Sequence, residues 1–117
     1  MDNAVIKYVG EVALNDAIAT ETNQIFLSTS IRESENIRMD IANLADSYGL
    51  NLSGNPFVLP NGATLSFLLT DSQASGGHSG NVYAINCFDE KNFYFIHRLV
   101  SSWTMLKKHK AVFLSIE

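Results

Sequence analysis

The stretch from Ser30 to Gly49 constrains the fold of this chain most, because it contains a complete set of helix signals. Ser30 and Glu33 have the spacing of a capping box, in which each side chain satisfies a free amide of the first turn. The apolar residues that follow recur at helical spacing, namely Ile37, Ile41, Leu44 and Tyr48. Gly49 suits the left-handed position that ends many helices. The pattern predicts an amphipathic helix over 31–48, which must bury its apolar face against another element.

Alternation of apolar and polar side chains predicts that much of the remaining chain forms β-strands. Strands are expected at residues 4–14, 24–29, 64–70, 81–88, 92–100 and 111–116, and a further strand enters through NLSGNPFVL at 51–59. The sequences LPNGAT and DEKN are typical of tight hairpin turns. Residues 16–23 are compatible with either a strand or a helix, and a short second helix is expected near 100–109.

Together these elements predict an α+β fold, with an antiparallel sheet of about five to seven strands and the long helix packed on one face. The chain has 117 residues, a length typical of one domain, so 1–117 is expected to form a single compact domain. The lone cysteine, Cys87, excludes an intrachain disulfide, and the sequence shows neither a secretory signal nor a membrane-spanning apolar run. A soluble, cytoplasmic protein is therefore the expectation.

Charge is distributed unevenly along the chain, which has a net charge of −4. Residues 1–90 contain 11 acids and 3 bases, whereas residues 91–117 contain 5 bases and 1 acid. An acidic surface disfavours contact with nucleic acid phosphates and favours a protein partner with a basic surface. The basic run KKHK at 107–110 is compatible with phosphate contact or with a solvated turn, and the second interpretation is favoured.

The stretch SGGHSGNVYAINCFDEKNFYFIH, residues 75–97, contains the residues most suggestive of catalysis. If 81–88 and 92–100 form a hairpin, Cys87 and His97 point to opposite faces, and a nucleophile must lie beside its base. The Walker pattern, G-x-G-x-x-G and a G-x-S-x-G elbow are absent from the sequence. The histidines and the cysteine also lack the close pairing of metal ligands. No catalytic residue, metal or cofactor is therefore predicted.

The loop DSQASGGHSG, residues 71–80, is small and polar, which predicts mobility. Gly76, Gly77 and Gly80 are interpreted as sources of loop flexibility. Whether this loop also has a function is left open by the residues alone.

The leading functional hypothesis is a non-catalytic protein-binding module, an intracellular inhibitor or immunity-type protein that neutralises a toxin or enzyme. The expected partner-binding residues surround the helix and the loop, and they are Glu33, Asp40, Asp46, Asp71 and His78. One alternative is a small hydrolase or transferase that uses His78 or His97 with an acidic residue. Another is a structural subunit of a homo-oligomer.

Overall fold

A computed structural model describes residues 3–71 and 77–116 of the chain, which form three α-helices, one 3₁₀ helix and five β-strands. In chain order these elements are α1 (Asn3–Thr20), β1 (Gln24–Ser28), α2 (Ile31–Asp46), β2 (Phe57–Val58), β3 (Thr64–Leu69), β4 (Asn81–Ile85), α3 (Phe93–Thr104), the 3₁₀ helix (Met105–Lys107) and β5 (Ala111–Leu114). The mobility predicted for 71–80 concerns in part residues 72–76, which lie outside the described ranges.

The five strands form one sheet in the order β2-β3-β1-β4-β5. Strand β1 lies between β3 and β4 and runs parallel to both, and β5 runs parallel to β4. Only β2, a short edge strand, runs antiparallel to its neighbour in the described sheet. The predicted antiparallel α+β sheet is therefore wrong, and the fold is an α/β fold with a mostly parallel mixed sheet.

The helices cover both faces of this sheet. Helices α1 and α2 pack on one face, where Phe26 of β1 stacks between Phe67 of β3 and Tyr83 of β4, at centroid distances of 5.4 and 5.1 Å. Helix α3 packs on the other face, against a second cluster that includes Ile25 and Val82. Because the central strands are buried on both faces, they read as nearly continuous apolar runs.

Two predicted strands are helices, and the spacing of their buried residues explains why. In α1 the buried side chains recur at helical intervals, and they are Ile6, Val9, Ala13, Leu14 and Ala17. The strand predicted at 92–100 is most of α3, whose buried apolar residues are Ile96, Val100 and Trp103. Parallel strands require long crossover connections, and α2 and α3 supply them. The hairpin expected between 81–88 and 92–100 is consequently absent.

The helix expected at 31–48 is present as α2, and Ser30 accepts a hydrogen bond from the Glu33 amide at 3.2 Å, as an N-cap does. The LPNGAT turn joins the antiparallel pair β2–β3, with Gly62 at a φ of 92°. Gly80 has a different role from the flexibility predicted for it. A Cβ on this residue would lie 2.4 Å from the carbonyl oxygen of Asn23, so only glycine fits where the chain enters β4.

Candidate functional site

The direction of the two crossovers defines a candidate site at the carboxyl ends of β1 and β4. Helix α2 leaves β1 and leads across one face of the sheet to β3, whereas α3 leaves β4 and leads across the other face to β5. The strand order therefore reverses between β1 and β4. In open α/β sheets, ligands bind outside the carboxyl ends of the strands at such a reversal, because the diverging loops leave a crevice there.

Asn86, directly after β4, holds this edge of the sheet together. Its amide donates to the Leu114 carbonyl at 2.9 Å, and its side chain exchanges two hydrogen bonds with the backbone of Ile116, at 2.8 and 2.6 Å. Its carbonyl accepts a bond from the Thr29 hydroxyl at 3.4 Å. With a φ of 52°, Asn86 occupies the left-handed region, which asparagine tolerates better than most residues. The segments after β1, β4 and β5 are thus fixed relative to one another.

Two buried polar atoms near this edge lack a hydrogen-bond partner among the described residues. They are Oγ of Ser28, the last residue of β1, and Oε2 of Glu33 in the first turn of α2. Ser28 is fully buried, and Glu33 is partly buried. Buried polar groups normally form hydrogen bonds. The Ser28 hydroxyl and the Glu33 carboxylate oxygen, which have none here, are therefore available to a ligand at the strand reversal.

Cys87 lies next to this edge as a buried, protonated thiol. Burial and, to a smaller extent, the negative charge of Glu33 together raise its pKa to about 11. The thiolate is the nucleophilic form, so Cys87 is unreactive at neutral pH. The hairpin geometry on which the sequence argument about Cys87 and His97 depended is wrong. Cys87 follows β4, whereas His97 lies on α3, where its ring stacks on Phe113.

The two exposed acids after β4, Asp89 and Glu90, differ in their contacts. Asp89 Oδ1 accepts bonds from the amides of Lys91 and Asn92, at 2.8 and 2.9 Å, and so forms the turn that precedes α3. Glu90 is exposed at the same turn. Within residues 3–71 and 77–116, no group of three or more histidine, cysteine or acidic side chains is arranged to hold a metal ion.

The five predicted partner-binding residues lie at separate places on the fold. Glu33 and Asp46 are at opposite ends of α2, which places them roughly 20 Å apart along the helix axis. Asp40 lies between these two residues on α2 and lines a cleft with Lys7 of α1. Asp71 is exposed just after β3. His78 lies near the start of β4, with its ring edge-on to Trp103 at 5.6 Å. Their role in binding a partner stays a prediction.

Fold and edge geometry define an open, mostly parallel α/β protein with a reversal of strand order between β1 and β4. Residues 7–115 match the family described as terminase large subunit, T4likevirus-type, N-terminal. The chain belongs to this family. No solved structure matches the chain.

Two curated relatives are similar to this chain. A probable terminase ATPase subunit of Haemophilus phage HP1 is 48% identical over 77 residues, which is 65% of this chain and 13% of that protein. The terminase ATPase subunit of Escherichia phage P2 is 33% identical over 109 residues, which is 92% of this chain and 18% of that protein. The chain thus spans less than a fifth of the length of either relative.

The family corrects the functional predictions made from the sequence. An inhibitor or immunity-type protein without an enzymatic role is wrong, because the chain belongs to a terminase large-subunit family and both relatives are ATPase subunits. The expected partner, a protein with a basic surface and no nucleic acid, is wrong for the same reason. In the described part of the chain, no helix is long and apolar enough to cross a membrane.

Sequence reasoning missed Ser28 and Asn86 as residues of the strand reversal. The rule that ligands bind at strand reversals would point to both residues. Applying it requires the parallel strand order, and the predicted hairpin gave an antiparallel order. The available signal was the short polar run STS after the apolar strand QIFL, since polar residues after a buried parallel strand indicate a ligand-facing edge.

Proposed function

We propose that this chain is part of a phage terminase large subunit and contributes one sheet edge to an ATPase that drives DNA packaging in the cytoplasm of the host. The observation that carries the proposal is the strand reversal between β1 and β4, with the unpaired Ser28 hydroxyl and Glu33 carboxylate oxygen beside it. Family membership over residues 7–115 supports the assignment to a terminase. Residues 1–117 are proposed to act as one domain, in keeping with their single sheet.

The chain supplies only part of a nucleotide site. A phosphate cradle of the Walker type needs the pattern G-x-x-x-x-G-K-[ST], and this sequence does not contain it. The ATPase relatives are more than five times longer than the region they share with this chain. The phosphates are therefore proposed to be held elsewhere in the ATPase, while this sheet edge faces the nucleotide and its cation.

Two carboxylates are the best candidates for work at this edge. Magnesium bound with nucleotide phosphates takes one or two carboxylate ligands from the protein, and in many nucleotide hydrolases an acid after a buried strand supplies one. Glu90 follows β4 and is exposed, and Glu33 begins α2 with one oxygen unpaired. Asp89 is a weaker candidate, since its Oδ1 already accepts two backbone amides.

A chimera tests the proposal directly. The 109 aligned residues of this chain would replace their counterpart in the phage P2 terminase ATPase subunit, and ATP hydrolysis would be measured. We expect the chimera to hydrolyse ATP and the Glu90→Gln chimera to lose at least 10-fold of that rate. Glu11→Gln is the matched control, because Glu11 is exposed on α1, away from the edge.

The outcome that contradicts the proposal is specific. If the Glu33→Gln and Glu90→Gln chimeras both hydrolyse ATP as fast as the parent chimera, this edge takes no part in the reaction. A chimera that folds but binds no fluorescent ATP analogue would also reject it. Circular dichroism of each chimera separates loss of folding from loss of activity.

A further inference from the structure

A cleft of about 440 Å³ opens at the opposite edge of the sheet, where the amino ends of β4 and β5 meet the end of α1. Its lining is polar and basic, and consists of Asp16, Thr20, Thr22, Asn81 and the run Lys107, Lys108, His109 and Lys110. This is the KKHK run, for which a solvated turn is the interpretation that the sequence favours. In the structure Lys107, Lys108 and Lys110 are exposed before β5, as that interpretation expects, and all four residues of the run also line one cleft.

The backbone of the basic run is fixed from both sides. Lys108 ends the 3₁₀ helix in a left-handed conformation, with φ of 53° and ψ of 45°. On its far side the His109 amide donates to the Thr104 carbonyl at 3.0 Å, and the Lys110 amide donates to Asn81 Oδ1 at 2.8 Å. The Asn81 side chain is itself buried and bonded to Gln24. The lysine Cα positions are therefore fixed, which lowers the entropy lost when their side chains bind a ligand.

The charges in the cleft do not cancel. Lys110 forms an ion pair with Asp16, the one acid in the lining. Lys107 and Lys108 are exposed, and neither is paired with a carboxylate in the part of the chain that the structure describes. Burial lowers the pKa of His109, and the charge of Lys107 lowers it further, so His109 is neutral at pH 7. Two positive charges remain for a ligand.

We propose that this amino-edge cleft binds phosphates of the DNA backbone through Lys107 and Lys108, an inference that rests on the proposed function in DNA packaging. Lysine and threonine side chains are ordinary partners of DNA phosphates, and such contacts carry no base sequence information. A packaging enzyme must act on DNA of any sequence, which this kind of contact permits. The acids concentrated before residue 90 would repel DNA elsewhere and confine it to this basic region.

The test is the binding of the 117-residue chain to a fluorescently labelled 20-base-pair duplex of arbitrary sequence, measured by anisotropy over a range of salt concentrations without nucleotide. We expect Lys107→Gln/Lys108→Gln to weaken binding at least 10-fold at low salt. Removal of two phosphate contacts should also lower the slope of log K against log[salt] by about 1.8. The matched control is Lys7→Gln/Lys91→Gln, which removes the same charge from two exposed sites on α1 and before α3.

A variant of opposite sign sharpens the test. Asp16→Asn removes the acid that neutralises Lys110, so it should tighten DNA binding several-fold, which a general loss of structure cannot do. Equal weakening in both lysine pairs would reduce the effect to net charge and overturn the proposal. So would the absence of DNA binding by the parent chain at low salt. A poly-glutamate peptide that competes as well as unlabelled duplex would assign the cleft to an acidic protein instead.

The DNA-binding experiment and the chimera experiment can reject their two proposals independently. DNA binding is measured without ATP, and Glu33 and Glu90 are unchanged in every variant. Loss of ATP hydrolysis in the Glu90→Gln chimera with no effect of Lys107→Gln/Lys108→Gln on DNA affinity would leave the proposed function standing and reject the cleft alone.

Discussion

Substitution of Gly80 by alanine should be among the most destabilising single-methyl changes in this chain. The added Cβ would lie 2.4 Å from the carbonyl oxygen and 2.8 Å from the carbonyl carbon of Asn23, well inside van der Waals contact. These are backbone atoms just before β1, so a side-chain rotation cannot relieve the clash. The starts of β1 and β4 would have to separate by about 1 Å to restore ordinary contact.

That separation would strain two backbone hydrogen bonds, from the Asn81 amide to Asn23 at 2.9 Å and from the Gly80 amide to Trp103 at 3.1 Å. Overpacking costs about 1–3 kcal/mol, and a weakened hydrogen bond about 1 kcal/mol. The lower entropy of the unfolded alanine chain offsets roughly 0.5 kcal/mol. The net loss in the free energy of unfolding is about 3 kcal/mol, which corresponds to a fall in Tm of roughly 12 °C for a chain of this size.

Urea unfolding followed by Trp103 fluorescence measures this loss. Gly62→Ala is the matched control, since Gly62 has a φ of 92° but open space around its Cα. It should cost only about 1 kcal/mol, the penalty of a left-handed alanine. A Gly80→Ala loss no larger than the Gly62→Ala loss would refute the close approach of β1 and β4.

Three further outcomes follow from single side chains. Ser30→Ala removes the N-cap of α2 and should lower the free energy of unfolding by about 1 kcal/mol in urea, whereas Ser30→Asn should retain it. Cys87, with a pKa of about 11, should react with iodoacetamide at pH 8 at least 100-fold more slowly in the folded chain than in urea, and equal rates would contradict its burial. His109 has its pKa lowered in the folded state, so the unfolded chain binds more protons near pH 6. The free energy of unfolding should therefore fall as pH drops through 6.5, less steeply in His109→Gln, and identical profiles would argue against it.

The local signals in the sequence were sufficient for some elements of the fold. The helix α2 follows from a cap at Ser30 and an apolar stripe, both of which lie within a single element. The strands at 24–29, 64–70 and 111–116 are also present, as β1, β3 and β5. In each case the side-chain pattern belongs to one segment and needs no knowledge of its neighbours.

Helix α1 and most of helix α3 are predicted as strands, because their sequences are compatible with both the strand period and the helix period. In α1, Ile6, Tyr8, Val12 and Leu14 alternate as a strand would, but Tyr8 is 69% exposed and the buried positions follow the helical period. In α3, the run FYF has high strand propensity, yet Phe93, Tyr94 and Phe95 are all exposed and burial begins at Ile96. Tertiary burial decided the structure in both segments.

Strand direction depends on which segments meet in space, and no local pattern contains that information. A strand at 92–100 would pair with 81–88 as a hairpin, and that pairing predicts an antiparallel sheet. Helix α3 is long enough to return the chain to the start of the sheet, so β5 can run parallel to β4, as it does in the structure. The same correction changes where candidate functional residues are sought, from the face of a hairpin to the two edges of a parallel sheet.

The two edges of this sheet offer opposite chemistry, which follows from where each charged run falls along the chain. Glu33, in the first turn of α2, and Glu90, after β4, are the acids proposed to serve a cation and its nucleotide, whereas the lysines that precede β5 lie at the amino edge. In a parallel sheet a residue before a strand and a residue after its neighbour are separated by the strand length, about 17 Å for five residues. In the two proposals, the rigid sheet would keep DNA phosphates away from these acids, which would repel them, and would connect the two proposed binding sites mechanically.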